Sequence, residues 1–259
     1  MHRASCLCGA VTFETDAPLR PVVDCHCTQC RKQSGHFWAA SSVPREDLRI
    51  TRDDGLAWYR ASPTANRGFC RECSSFLLWQ MDGEPTISFA AGALDGPTGL
   101  HVAQSIYHKD AGDYYDPAQG APPRLTAAPA TLRGACLCGA NRFTLPGPMG
   151  EVTACHCTQC RKTSGHYAAS FDAHEPDLHW QSRHLAEYVT PQGGRRGFCP
   201  TCASSLFFRA ADGSFSVEAG CIENPTGGRL AAHIFVADKG DYYDLTDGLP
   251  QFDGFEPDP

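Results

Sequence analysis

The sequence predicts a mainly β protein that contains two homologous domains in tandem. Three observations support this fold class: one cysteine pattern occurs twice, short β-branched or aromatic segments lie between turn residues, and long helical periodicity is absent. Fourteen of the 15 cysteines belong to the repeated pattern. Its three cysteine groups recur at offsets of 130, 130 and 129 residues, which indicates duplication of one long unit.

The length of the chain fits this organisation. A chain of 259 residues accommodates two domains of about 125 residues each. We expect a first domain over residues 1–117 and a second over residues 131–259, called here the first and second repeat. Residues 118–130 are rich in Pro and Ala, and we expect them to form a linker because they offer little to bury.

Short strands account for most of the predicted secondary structure. The strand predictions cover residues 11–15, 76–79, 86–89, 206–208 and 215–218. The pairs Asp82-Gly83 and Asp212-Gly213 predict hairpin turns. Only residues 28–34 and their counterparts 158–164 predict short helices, so we expect mainly antiparallel β domains held together partly by metal.

Composition and charge exclude several functional classes. The net charge is −7 and neither repeat is basic, which argues against a nucleic-acid partner. No apolar run precedes the first cysteine pair, and no segment approaches the ~18 apolar residues of a membrane span. We therefore expect a cytoplasmic protein, in which reduced thiols favour metal binding; disulfides in a secreted chain are the alternative.

Two cysteine pairs in each repeat have the spacing of a structural zinc site. In an extended Cys-x-Cys segment both side chains leave the same face, and Cys-x-x-Cys is the usual two-ligand turn of zinc sites. Together they predict one Cys₄ zinc site per repeat, which contributes folding free energy. The predicted ligands are Cys6, Cys8, Cys70 and Cys73, and Cys136, Cys138, Cys199 and Cys202.

Three further cysteines per repeat predict an open zinc site. Three protein ligands with a free fourth position are typical of catalytic zinc, and a helix N-terminus favours thiolate over thiol. The predicted metal-binding and catalytic residues are Cys25, Cys27 and Cys30, and Cys155, Cys157 and Cys160. His26 points away from its neighbours on an extended chain and is not expected to be the fourth ligand. Spacing alone permits other pairings, and an iron–sulfur cluster is an alternative.

These motifs resemble those of glutathione-dependent formaldehyde-activating enzymes and centromere protein V-like proteins. The matching segments are Cys-Leu-Cys-Gly-Ala, Cys-His-Cys-Thr-Gln-Cys-Arg-Lys, Ser-Gly-His, Arg-Gly-Phe-Cys-x-x-Cys and residues 233–239. The resemblance implies two β-tent domains, each with a Cys₄ zinc and a second zinc on the Cys-x-Cys-x-x-Cys segment, giving two structural Zn²⁺ and up to two more. It also implies a carbon–sulfur lyase acting on a small-molecule thiol adduct such as S-hydroxymethylglutathione, formed from formaldehyde and glutathione.

The alternative function is a non-catalytic, zinc-stabilised binding module for a protein partner. We expect neither a nucleic acid nor a membrane as partner. Two homologous domains on one chain can imitate a homodimer, so a pseudo-dimeric monomer is expected, in which residues of either domain complete a site.

Several polar residues near the motifs have two interpretations each. Arg31-Lys32 and Arg161-Lys162 either neutralise substrate carboxylates or form a solvated helix face. Arg67 and Arg196 either bind an anion or hydrogen-bond a turn. His36 and His166 are either proton shuttles or packed side chains. Cys221, which has no cysteine counterpart in the first repeat, is read as a lone buried thiol.

The two repeats also differ beside the intact cysteine motifs. Ser105 occupies the position that His233 holds in the second repeat. Such a change alters substrate binding more readily than metal binding. We therefore expect both repeats to bind zinc and residues 131–259 to carry more of the lyase activity.

Overall fold

The computed structural model describes residues 1–118 and 127–257. Over these residues the protein is mainly β with two α-helices, which confirms the predicted fold class. The elements of the first repeat are β1 (His2–Ser5), β2 (Thr12–Thr15), β3 (Val22–Cys25), α1 (Thr28–Ser34), β4 (Trp38–Pro44), β5 (Arg49–Arg52), β6 (Leu56–Ser62), β7 (Ala65–Cys70), β8 (Phe76–Met81), β9 (Thr86–Ala90) and β10 (Val102–Ile106).

The second repeat has the same elements in the same order. They are β11 (Thr131–Ala135), β12 (Arg142–Pro146), β13 (Gly150–Cys155), α2 (Thr158–Ser164), β14 (Ala168–Asp172), β15 (His179–Ser182), β16 (Ala186–Val189), β17 (Arg195–Phe198), β18 (Ser205–Arg209), β19 (Phe215–Glu218) and β20 (Gly228–Ile234). Short 3₁₀ turns, among them Ala91–Ala93 and Ala219–Cys221, connect some of these elements.

Each repeat forms one small and one large sheet. In the first repeat the strand orders are β1-β2-β5 and β10-β3-β4-β9-β8-β7-β6. The orders in the second repeat are β11-β12-β15 and, read from the other end, β16-β17-β18-β19-β14-β13-β20. The pairing is antiparallel except between β3 and β10 and between β13 and β20. These parallel pairs form because the last strand of each repeat returns over a long connection to the strand that carries the first cysteine of the three-cysteine motif.

The apolar side chains form two core clusters. One lies within the first repeat and contains Phe13, Phe76 and Phe89. The other contains the core of the second repeat together with Phe37 and Tyr114 from the first. The interface between the repeats is therefore continuous with a hydrophobic core.

The loops that carry the repeated Pro-Thr-Gly and Gly-Asp-Tyr-Tyr-Asp motifs hold the repeats together. Asp241 accepts hydrogen bonds from Thr98 Oγ1 at 2.7 Å and from the Thr98 backbone N–H at 2.6 Å. With the repeats exchanged, Asp113 accepts from Thr226 Oγ1 at 2.6 Å and from the Thr226 N–H at 2.9 Å. The first aspartate of each Gly-Asp-Tyr-Tyr-Asp motif thus anchors its own repeat to the other.

The two helices make a second reciprocal contact. Arg31 donates to the carbonyl of Ile222 at 2.7 Å, and Arg161 donates to the carbonyl of Leu94 at 3.0 Å. Lys162 donates to Asp95 at 2.6 Å and is buried. The interpretation of Arg31, Arg161 and Lys162 as a solvated helix face is wrong, because their charged groups bind the opposite repeat. Neutralisation of substrate carboxylates by the Arg-Lys pairs stays a prediction.

The proposed domain boundaries remain a prediction. Residues 119–126 of the predicted linker lie outside the described residues. Within the parts of the chain that the structure covers, no helix combines the length and apolar character needed to cross a bilayer.

Candidate metal centres

The first four-cysteine group lies where β1 and β7 end. Cys6 and Cys8 follow β1, Cys70 is the last residue of β7, and Cys73 belongs to the turn that follows. All four Sγ atoms lie within 4.8 Å of one another, with Cys6–Cys8 and Cys8–Cys70 Sγ separations of 3.6 Å. Zinc–sulfur bonds of about 2.3 Å in a tetrahedron place the sulfurs about 3.8 Å apart. The group therefore fits a tetrahedral Zn²⁺.

The second repeat reproduces this group, including its hydrogen bonds. The Sγ separations Cys136–Cys138 and Cys138–Cys199 are again 3.6 Å. Backbone N–H groups donate to Cys6 Sγ and Cys136 Sγ at 3.2 Å each. Such donors favour thiolate over thiol, which is the form that binds metal.

Each three-cysteine group is built at the N-terminus of a short helix. Cys25 ends β3, Cys27 is the N-cap of α1, and Cys30 lies in the first helical turn. Cys27 Sγ accepts a hydrogen bond from the Cys30 N–H at 3.5 Å. The three Sγ atoms lie within 4.8 Å of one another. The second repeat has the same arrangement at Cys155, Cys157 and Cys160.

The electrostatics of these groups favour a thiolate at the helix cap. Hydrogen bonds from Cys25 and Cys30 hold the pKa of Cys27 well below its usual range. Cys155 and Cys160 act on the pKa of Cys157 in the same direction. An ionised cap thiol surrounded by two further thiols suits a soft metal ion.

A buried arginine contacts each three-cysteine group. Both terminal nitrogens of Arg67 lie 3.6 Å from Cys30 Sγ, and Arg196 Nη2 lies 3.5 Å from Cys160 Sγ. Burial alone would lower the pKa of Arg196, but the electrostatic interaction and hydrogen bond with Cys160, together with Glu218 and Cys157, outweigh burial and raise the pKa. These residues, interpreted from sequence as anion ligands or turn donors, therefore place a positive charge against the thiols.

The histidine between the first two cysteines of each motif points to the other side of the strand. His26 Nδ1 lies 2.7 Å from Tyr115 Oη, and His26 Nε2 lies 2.9 Å from Ser105 Oγ. His108 Nε2 lies 2.8 Å from the same Ser105 hydroxyl. Both ring nitrogens of His26 are therefore engaged away from the thiols.

In the second repeat a longer hydrogen-bonded chain replaces this network. His156 Nδ1 lies 2.7 Å from Tyr243 Oη, and His156 Nε2 lies 2.9 Å from His233 Nδ1. His233 Nε2 in turn lies 2.9 Å from Asp247 Oδ2. Burial lowers the pKa of His156 to about 3, so the ring is neutral. The Ser105/His233 difference seen in the sequence thus changes the hydrogen-bonded network of the histidine that lies between the first two cysteines of the motif.

His36 and His166 are packed among aromatic rings. His36 Nδ1 lies 2.7 Å from Tyr114 Oη, and His166 Nδ1 lies 2.9 Å from Tyr242 Oη. Burial holds the pKa of both histidines well below the usual value. Neutral, tyrosine-bonded rings fit the packing interpretation rather than that of a proton shuttle.

Sequence reasoning missed two buried carboxylates. Glu218 is fully buried near the second three-cysteine group, and burial raises its pKa to about 8; its counterpart in the first repeat is Ala90. Asp24 lies beside Cys25 on β3, and burial raises its pKa to about 7. Two-residue alternation along β3 would have placed Asp24 on the face opposite Cys25. Cys221 is buried, as expected, and donates to the Glu218 carbonyl at 3.0 Å.

Comparison with known proteins supports the family resemblance that the motifs indicate. The family model of the glutathione-dependent formaldehyde-activating enzyme matches residues 1–110 and again residues 131–238. The chain belongs to this family, and carries two copies of its domain in tandem. Members of the family are associated with glutathione-dependent formaldehyde activation or related thiol chemistry.

Among the solved structures that are similar to part of the chain is the crystal structure of a Rhodobacter sphaeroides protein, with 26% sequence identity and a TM-score of 0.34. The match covers 40% of this chain and 99% of that one. No curated protein sequence matches the chain.

Proposed function

We propose that the protein is a zinc-dependent enzyme of the carbon–sulfur lyase type that acts on a thiol adduct such as S-hydroxymethylglutathione. The three-cysteine groups carry this proposal. Each brings three thiols within 4.8 Å, and among the described residues no fourth Cys, His, Asp or Glu ligand joins them. Such a set leaves one coordination position for a substrate.

The residues of each repeat then have distinct roles. Cys25, Cys27 and Cys30 would hold the open-site zinc, and the four-cysteine group would hold a structural one. Bound zinc supplies a position that keeps a substrate sulfur as thiolate. In the condensing direction the sulfur forms a bond to the formaldehyde carbon, and the thiol proton ends on the new hydroxyl oxygen.

The arginine that contacts each group adjusts its charge. Three thiolates around Zn²⁺ carry a net charge of about −1 and weaken Lewis acidity. Arg67 offsets part of that charge through its contact with Cys30. Positioning of the two reactants should therefore contribute more to the rate of the reaction than polarisation of the formaldehyde carbonyl.

We also propose a domain organisation and a cellular location for the protein. Residues 1–117 and 131–259 form the two domains, and the chain acts as a pseudo-dimeric monomer. We place it in the cytoplasm, where thiols stay reduced and glutathione is abundant.

The test measures formation of S-hydroxymethylglutathione from glutathione and formaldehyde by exchange NMR, using the full zinc-loaded chain. We expect acceleration over the uncatalysed rate and its loss in the double variant Cys27→Ser/Cys157→Ser. Cys221→Ser is the matched control, because that buried thiol belongs to neither cysteine group. No acceleration by the wild type, or an unchanged rate in the double variant, would favour the non-catalytic binding module.

A further inference from the structure

A cleft of about 730 Å³ opens between β10 of the first repeat and residues 242–246 of the second. Its lining includes Asp24, Gln104, Ser105, Tyr242 and Tyr243. Because Asp24 and Cys25 are successive residues of β3, their side chains leave opposite faces of the sheet. The cleft is therefore a separate feature from the three-cysteine group.

Asp24 gives the cleft an unsatisfied acceptor. The residue is 4% exposed, and Oδ1 has no hydrogen-bond partner among the described residues. A buried carboxylate oxygen without a donor is costly. The corresponding residue of the second repeat is Ala154, so only the first repeat carries this acid.

The neighbouring tyrosines offer the cleft no free hydroxyl donor. The hydroxyls of Tyr242 and Tyr243 are already bonded to His166 and His156. Among the described residues that line the cleft there is no Lys or Arg. The lining also contains a second carboxylate, Asp244, and two histidines, His101 and His108. Two carboxylates in a lining without Lys or Arg are complementary to a cation.

We propose that this cleft binds the primary ammonium group of a small organic amine, with Asp24 as the hydrogen-bond acceptor. An ammonium group is a compact charge with rotatable donors. It needs only one carboxylate oxygen, such as the unpartnered Asp24 Oδ1, for a charge-assisted hydrogen bond. This site is independent of the proposed lyase activity.

Calorimetric titration of the zinc-loaded full chain with n-butylammonium chloride tests the proposal. Tetramethylammonium chloride, which lacks N–H groups, serves as the reference cation at the same ionic strength. We expect butylammonium to bind more tightly than the reference. Asp24→Asn, nearly isosteric but neutral, should weaken binding about tenfold or more because it removes a charge-assisted hydrogen bond.

Two further variants separate the cleft from general charge and folding effects. Asp53→Asn removes an exposed carboxylate of the same repeat and should leave affinity unchanged. Ala103→Trp enlarges an exposed side chain in the cleft lining and should weaken binding without altering Asp24. The proposal is overturned if the wild type binds no butylammonium, if both cations bind equally, or if Asp24→Asn retains full affinity with wild-type zinc content.

Discussion

At the scale of single residues, the buried arginines decide how much negative charge each three-cysteine group retains. Arg67 lies in contact with Cys30 Sγ, and its guanidinium carbon is 5.2 Å from the ring centre of Phe76. The cation is thus held by an aromatic face on one side and a thiol on the other. Groups that orient and compensate metal ligands typically change metal affinity by one to two orders of magnitude.

Arg67→Met should therefore weaken zinc binding at the first three-cysteine group by about tenfold. Methionine keeps an apolar stem against Phe76 but removes the charge that favours the Cys30 thiolate. A competition titration with a zinc chelator measures the change. Arg71→Met is the control, because Arg71 is exposed and its guanidinium donates to the Leu56 carbonyl rather than to a thiol. Equal affinities in the two variants would argue against charge compensation.

His36, which lies at the interface between the repeats, makes the free energy of unfolding depend on pH. Its folded pKa lies well below the usual value because the ring is buried, whereas in the unfolded chain it protonates near 6.5. Below that pH the unfolded state binds more protons, so stability falls as the pH drops, by up to about 1.4 kcal/mol per pH unit for one such group.

His36→Gln should reduce this loss between pH 7 and pH 5.5, since glutamine does not titrate. Thermal unfolding at both pH values gives the difference. Zinc loss in acid affects wild type and variant alike, so the change in slope reports His36. His179→Gln, at an exposed position, should keep the wild-type slope; the same slope in His36→Gln would contradict the prediction.

At the scale of elements, local motifs were predictable and long-range partners were not. The helix bounds Thr28–Ser34 follow from a cysteine cap at one end and Gly35 at the other, both visible in the sequence. The contact between Arg31 and the Ile222 carbonyl joins residues 191 positions apart, and no local pattern encodes it. For the same reason the parallel pairing of β3 with β10 was missed, although both segments lie in one repeat.

The helix contacts also explain why Gly92 and Gly220 are glycines, although neither has a positive φ. A Cβ on Gly92 would lie 2.6 Å from the Arg161 carbonyl oxygen, and one on Gly220 would lie 2.4 Å from that of Arg31. Both neighbours are backbone atoms, so they cannot move without shifting a helix. The reciprocal helix contact therefore requires glycine at both positions.

Gly92→Ala should destabilise the protein by about 1–3 kcal/mol, the usual cost of overpacking. Urea unfolding, read from the midpoint at constant slope, gives the value. Gly254→Ala provides the control, since no heavy atom outside its chain neighbours lies within 4 Å of the added Cβ. A stability equal to that of the control would mean that the helices do not need this close approach.

At the scale of the whole molecule, the repeats share the geometry of their cysteine groups but differ in the hydrogen-bonded network around the histidine of the three-cysteine motif. The second repeat has the Tyr243–His156–His233–Asp247 chain, whereas the first has Ser105 and His108 beside His26. The duplicated motif was readable in the sequence, and so was the Ser105 substitution. The buried acids Asp24 and Glu218 were not recognised, because their significance depends on burial that only the fold creates.

This difference predicts unequal activity. Cys157→Ser should reduce thiol-adduct turnover more than Cys27→Ser under saturating zinc, because the second repeat keeps His233. Both variants should retain their fold, since each leaves the four-cysteine groups intact. Equal losses, or a larger loss in Cys27→Ser, would show that the His233 chain does not distinguish the repeats.

We predict that fourteen cysteines divide into two structural and two open metal sites, and the roles proposed for the other residues depend on this division. Zinc content measured together with thermal unfolding tests it most directly, in Cys27→Ser/Cys157→Ser against Cys70→Ser/Cys199→Ser. The division predicts that the first double variant keeps about two zinc ions and a cooperative transition near that of the wild type, while the second unfolds. Equal destabilisation of the two double variants would contradict it.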